Sequence, residues 1–187
     1  MTDRTVSVTP ERLSGWIERF SARHGQPDVV RNGTVIALQA PDGAVATYDE
    51  TPPPESFGIV LARRGGYAVG LVRGTALVAS KCGTRYVQGK TKAGGWSQQR
   101  YARRRANQAD DLARTCAAAV DRVLDGRLGL VVFGGGDRAL VDQVLGEVRE
   151  PIALHHRFLD VRDPRHAVLV ESVSAARSID VRLNEKA

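Results

Sequence analysis

The chain has 187 residues, 42% of them apolar and 26% charged, and carries a net charge of +6. These values suit a globular protein of one domain, or of one domain with a small appendage. No run of about 18 apolar residues occurs and the start, MTDRTVSVTP, shows no apolar leader segment, so a cytoplasmic protein is expected. Aromatic residues are only 5%, which leaves the core to Val, Leu, Ile and Ala.

Charge is unevenly spread. Ser56 to Ala109 contains no Asp or Glu but eleven Lys or Arg. Solvated surfaces mix signs, and a long one-sign stretch points to a phosphate backbone as partner.

In chain order, VTPERLSGWIERFSARHG predicts a helix with Thr9 as cap, Pro10 in the first turn and Gly25 at its end. Leu13, Trp16, Ile17 and Phe20 form its apolar stripe. The turn dipeptides Asn32-Gly33 and Asp42-Gly43 then separate β-branched runs, predicting two or three strands. The prolines of TPPPESF forbid regular structure and mark a boundary. The expected organisation is a helix and β-hairpin appendage over residues 1–55 and a main body over residues 56–187.

The main body opens with a meander of about three strands, FGIVLARRGGYAVGLVRGTALVAS, punctuated by Gly65-Gly66 and Gly74. A glycine- and lysine-rich loop, GKTKAGGWSQQ, leads into a helix from about Gln99 to Leu124. Its spacing puts Ala109, Leu112, Cys116, Val120 and Val123 on one face and Arg100, Arg103, Arg104, Asn107 and Arg114 on the opposite one. Arg105 falls on the apolar side. A buried strand, a glycine turn and a second helix come next in GRLGLVVFGGGDRALVDQVLGEV, then a short apolar segment, PIALHHRFLDV. Asp163 and Pro164 predict the start of a last helix that runs on toward Ile179.

Three stretches invite chemistry. FGGGDRA lacks the third glycine of a dinucleotide fingerprint and the Gly-Lys-Ser/Thr of a P-loop, so it reads as a turn capped by Asp137. His155 and His156, if on a strand, point to opposite faces and cannot chelate together; with His166 they make no convincing metal set. Cys82 and Cys116 lie 34 residues apart, without a CxxC pair, and read as reduced thiols. No cofactor or metal is expected. The loop is the third stretch. Gly89, Gly94 and Gly95 free its backbone, Lys90 and Lys92 charge it, and Ser97, Gln98 and Gln99 supply donors and acceptors. Nothing in it titrates near neutral pH, so it holds no general base of its own. A glutamine there can orient a water and donate to a developing oxyanion, if a partner completes the site. The alternative is a plain basic linker into a helix.

GGWSQQRYARRRANQADDLARTCAAAV resembles the catalytic loop and following helix in the central domain of eukaryotic and archaeal class I release factors. That loop carries Gly-Gly-Gln, and its helix begins Arg-aromatic-Ala-Arg. Gly94 and Gly95 match the two glycines; Arg100, Tyr101, Ala102 and Arg103 match the helix start. The preceding meander and the later LVVFGGGDRALVDQVL are similar too, so the resemblance spans roughly Phe57 to Ser178. The motif glutamine, however, aligns with Trp96, and glutamines stand two and three places later. A loop with glycines, a Ser and a displaced Gln resembles the release-factor-like peptidyl-tRNA hydrolases of ribosome quality control, in an actinobacterial type.

The resemblance implies an α/β fold: a mixed sheet of about five strands flanked by helices, release-factor central-domain-like, with a small N-terminal α+β appendage. It implies a peptidyl-tRNA hydrolase that releases nascent chains from stalled ribosomes or large subunits, its partners being ribosomal RNA and peptidyl-tRNA. Gln98 fits the Ser-Gln order best and Gln99 is the alternative, with Ser97, Gly94 and Gly95 shaping the loop. Lys90, Lys92, Arg100, Arg103 and Arg104 would contact RNA phosphates. Trp96 would stack on a base or anchor the loop in a groove. The length leaves no room for a stop-codon-reading domain beside the main body, so recruitment that is codon-independent, or left to a partner, is expected. Two rival readings remain: an endonuclease acting at the tRNA 3′ end, and a non-catalytic ribosome- or RNA-binding module.

Overall fold

The computed structural model describes residues 4–84, 96–125 and 129–187, the side chains of residues 96–106 excepted. Its elements are α/β throughout, in two units each built on a five-stranded sheet.

The first unit runs to Pro53 and takes back Arg177–Ala187 from the other end of the chain. Strand β1 (Arg4–Val8) leads into helix α1 (Pro10–His24). Thr9 holds the cap position in extended backbone, but its side chain makes no capping bond. Gly25 ends the helix at φ 88, its N–H donating to the Ser21 carbonyl at 2.9 Å. Strands β2 (Asp28–Asn32), β3 (Val35–Gln39) and β4 (Val45–Asp49) come next as the turn dipeptides predict, with Gly33 at φ 60 and Gly43 at φ 87. Phe20 with Leu13, Trp16 and Ile17 packs on Ile36, Leu38, Ala46 and Tyr48.

The second unit, Pro54–Ala176, begins with the predicted meander: β5 (Ser56–Arg63), β6 (Gly66–Arg73) and β7 (Ala76–Thr84). Helix α2 (Trp96–Val123), strand β8 (Val131–Gly136), helix α3 (Arg138–Gly146), the two-residue strand β9 (Ala153–Leu154) and helix α4 (His166–Arg177) complete it. The sheet order is β7-β6-β5-β8-β9. β5 to β7 pair antiparallel, while β8 lies parallel to β5 and β9 parallel to β8. This is the mixed five-stranded sheet the sequence predicts. One face is covered by α2 and α3, through Leu112, Cys116, Val120, Leu140 and Val144. The other is covered by α4, whose Leu169 and Val173 meet Phe57, Ile59, Leu61 and Phe133. β7 is an edge strand; a register shift between Leu71 and Val72 of its neighbour interrupts the pairing, and Val78 and Lys81 stand exposed on it. An irregular, charged edge resists pairing with another chain.

The last strand, β10 (Ile179–Leu183), crosses back into the first sheet, whose order is β1-β10-β4-β3-β2. It pairs antiparallel with β1, Arg4 opposite Leu183 and Val8 opposite Ile179. The first unit is therefore an antiparallel sheet with strands from both ends of the chain rather than a helix and hairpin. The last helix starts at His166, three residues beyond Asp163, which sits in a bend.

Candidate nucleic-acid interface

At one end of the second sheet the carboxyl termini of β5, β7 and β8 come together. Gly66 pairs with both Arg63 and Thr84, and Ala62 lies in register with Gly136. Ligands of open α/β sheets bind outside the carboxyl ends of parallel strands. Strand β7 ends at this edge at Thr84; residues 85–95, with Lys90, Lys92, Gly94 and Gly95, lie outside the described residues.

Helix α2 begins at Trp96, three residues earlier than expected, so Trp96, Ser97 and Gln98 join its first turn with Gln99 instead of ending the loop. Gly95 is the last residue with poor helix propensity before it, and the stretch WSQQRYARRR contains no Gly or Pro. Arg100, Arg103 and Arg104 stand on the next turns, and like those of Trp96 to Gln99 their side chains lie outside the described set. Further along, the predicted faces hold. Leu112, Cys116 and Val120 are buried, and Asn107 and Arg114 are exposed. Asp110 accepts from Gln143 of α3 at 2.8 Å, which ties the helix to the unit. At 1.5 Å per residue, Trp96 stands about 21 Å up the axis from Asp110.

The carboxyl edge also collects arginines that sequence reasoning did not single out. Arg63 ends β5, Arg64 lies in the β5–β6 turn and Arg138 opens α3. Arg138 sits over the Phe158 ring, 4.4 Å from its centroid. Arg63 runs along Gly136, its Nη2 3.8 Å from Asp160. Their only signal in the sequence is the acid-free stretch, which contains Arg63 and Arg64 but gives no hint that Arg138 joins them.

A family model for the actinobacterial and chloroflexi VLRF1 release factor matches residues 55–182. The chain belongs to this acVLRF1 release-factor family. Its role is therefore release-factor-like and ribosome-associated. No curated protein matches the chain. The match begins at Glu55, just past the prolines, and reaches into β10, so it takes in all of the second unit's sheet and its three helices.

In this acVLRF1 chain the glycine run after β8 is a packing device. A Cβ at Gly134 would lie 2.8 Å from Phe158, and one at Gly135 2.8 Å from Leu61. The N–H groups of the turn are already used: Gly136 donates to the Leu159 carbonyl, Asp137 to Ala62 and Leu140 to the Asp137 carboxylate at 3.2 Å. The Asp137 cap is as predicted.

The histidines require a correction. His155 and His156 come after β9 instead of lying within it, so strand alternation does not apply, and their rings pack together with centroids 4.1 Å apart. Arg157 N–H closes the turn onto His155 Nδ1 at 3.1 Å, and the His155 ring stacks on Phe133. Burial, then the neighbouring His156 and Arg157, lowers the His155 pKa. Among the described residues no cluster of His, Cys, Asp and Glu can hold a metal ion, and no helix is long and apolar enough to cross a membrane.

Burial pushes the Cys116 thiol up to about 12, and Cys82, half-buried, also stands above its usual value. Reactivity follows the thiolate. In the native protein at neutral pH Ellman's reagent is expected to label Cys82 slowly and Cys116 only on unfolding; rapid modification of two thiols would contradict this packing.

At the opposite end of the second unit a cleft of about 480 Å³ lies between the end of α2 and the segment after α3. Asp121, Asp125, Arg149 and Glu150 line it, a mixed-sign set away from the arginine edge.

Proposed function

We propose that this protein is a peptidyl-tRNA hydrolase that frees nascent chains from stalled ribosomes or large subunits. Residues 56–176 act as the catalytic body, and the glycine loop with the head of α2 enters the peptidyl-transferase region. Gln98, or in its place Gln99, orients the attacking water and donates to the oxyanion that forms as the ester carbonyl becomes tetrahedral. Ribosomal RNA and the tRNA ribose supply the proton transfer that the loop, lacking a titrating group, does not.

The observation that carries the reading is the start of α2 at Trp96, which sets Ser97, Gln98 and Gln99 in its first turn immediately after Gly94-Gly95. The first four N–H groups of a helix have no partner within it, and its N-terminus carries partial positive charge. A carboxamide carried by that turn, directly after two glycines in sequence, suits a site where negative charge develops. Arg100, Arg103 and Arg104 on the next turns, with Lys90 and Lys92 in the loop, would neutralise RNA phosphates, and Trp96 would stack on a base or seat the loop in a groove.

The test is addition of the purified protein to large subunits carrying peptidyl-tRNA, and to ribosomes stalled on a sense codon. Peptide is expected to be released from both, with no stop codon needed. Subunits that bind the protein and keep their peptide would refute the hydrolase.

A further inference from the structure

We infer that Arg63, Arg64 and Arg138 form a second phosphate-binding element, which grips the RNA backbone at the carboxyl edge of the second unit's sheet. The inference rests on the ribosomal function proposed for this chain and adds a contact surface outside the loop and helix.

Several arginines elsewhere in the chain are already engaged by carboxylates. Arg31 meets Glu50 at 2.6 Å, Arg177 meets Glu11 at 2.6 Å, and both Glu171 oxygens accept from Arg162 at 3.1 Å. A carboxylate this close offsets the guanidinium's charge and weakens its pull on another anion. The edge differs. Among the described residues neither Arg64 nor Arg138 has a carboxylate within 4.0 Å, and both are exposed. The contact of Arg138 with Phe158 is to a ring face, which orients the guanidinium plane and consumes none of its hydrogen-bond donors. Arg63 approaches Asp160 at 3.8 Å, too long for a hydrogen bond, and its Nε is buried without an acceptor. Two acids stand near the edge: Asp137, whose carboxylate accepts from the Leu140 N–H, and Asp160, fully exposed.

The three residues come from a strand end, a turn and a helix start, and the fold sets the Arg63 strand end against the turn that leads into Arg138, with Arg64 next to Arg63 in the chain. Asp137 N–H bonds to the Ala62 carbonyl at 2.8 Å, and a Cβ on Gly136 would lie 3.0 Å from Arg63 Cγ. Three forked donors at one sheet edge, where β7 also ends, fit successive phosphates of an RNA strand. Contacts of this kind position without reading sequence, as a factor that meets ribosomes stalled on any message requires.

The experiment measures binding of full-length protein to large subunits across a salt series, for wild type and for the combined Arg63→Gln, Arg64→Gln and Arg138→Gln variant. The slope of log affinity against log salt is expected to fall by about one per arginine, so by about three in all. The corresponding Arg→Lys variant is expected to regain most of the slope, and Arg149→Gln, beside the cleft at the far end, to keep it. An unchanged slope in the triple variant, or an equal fall in Arg149→Gln, overturns the inference. If the triple variant does not fold, each single variant must lower the slope by about one, or the inference fails. Subunits with and without bound tRNA identify the phosphates: an effect on both means ribosomal RNA, and an effect only on loaded subunits means the tRNA. Wild type that binds with full slope but frees no peptide removes the hydrolase reading and leaves the edge. Peptide release with an unaltered slope in the triple variant removes the edge alone.

Discussion

Replacing Gln98 and Gln99 together by alanine is expected to slow single-turnover peptide release by about 10²- to 10³-fold, the usual effect of losing one oxyanion donor. Affinity for the large subunit should be kept. A carboxamide that acts only as charge develops contributes to the transition state and little to the bound ground state, so the rate falls and the affinity does not. Of the single variants, Gln98→Ala is expected to carry the loss, because Gln98 stands directly after Ser97 in the order the resemblance predicts. If Gln99→Ala carries it instead, the role moves one residue along the same helical turn. Release at the wild-type rate in both would take the glutamines out of the chemistry; no release even by wild type, together with weaker RNA binding in Arg100→Ala, would leave a binding module without catalysis.

The second large effect concerns stability. Gly136→Ala is expected to destabilise the protein by about 2–5 kcal/mol, read as a lowered midpoint of urea unfolding. Gly136 sits at φ 96, a region that costs a residue with a Cβ about 1–2 kcal/mol. The added methyl would also strike the Ala62 carbonyl and lie 3.0 Å from Arg63 Cγ, overpacking of the sort that costs about 1–3 kcal/mol. The carbonyl belongs to a central strand and cannot swing away. A variant as stable as wild type would mean that the run is not a packing device, and would reopen the nucleotide reading of FGGGDRA.

The central sheet of the second unit was legible because its strands are long and β-branched and are separated by glycine turns. The helix faces were legible because Leu112, Cys116 and Val120 keep helical spacing over many turns. β1 and β10 escaped detection. Each is five residues long, RTVSV and IDVRL, and alternates weakly. Each becomes a strand by pairing with the other end of the chain, a long-range match that local pattern does not contain. The same holds for β9, which is two residues long and owes its strand character to β8. For the candidate site, the loop and the glutamines were marked by composition and motif order, and the helix start was misjudged by three residues because helix ends are set by local capping more than by periodicity. Arg138 could not be joined to Arg63 and Arg64 from spacing, since 75 positions separate Arg63 from it and only the parallel pairing of β5 with β8 brings them together.

The proposed chemistry turns on an amide in the first turn of a helix, next to a glycine-rich sequence, that completes a catalyst otherwise made of RNA. Its most direct test is the state of both products after one turnover on purified large subunits bearing peptidyl-tRNA. Free peptide with a carboxyl end, and full-length tRNA with an intact terminal ribose, is the predicted result. A shortened tRNA ending in a cyclic phosphate, with its missing nucleotides still attached to the peptide, would contradict it.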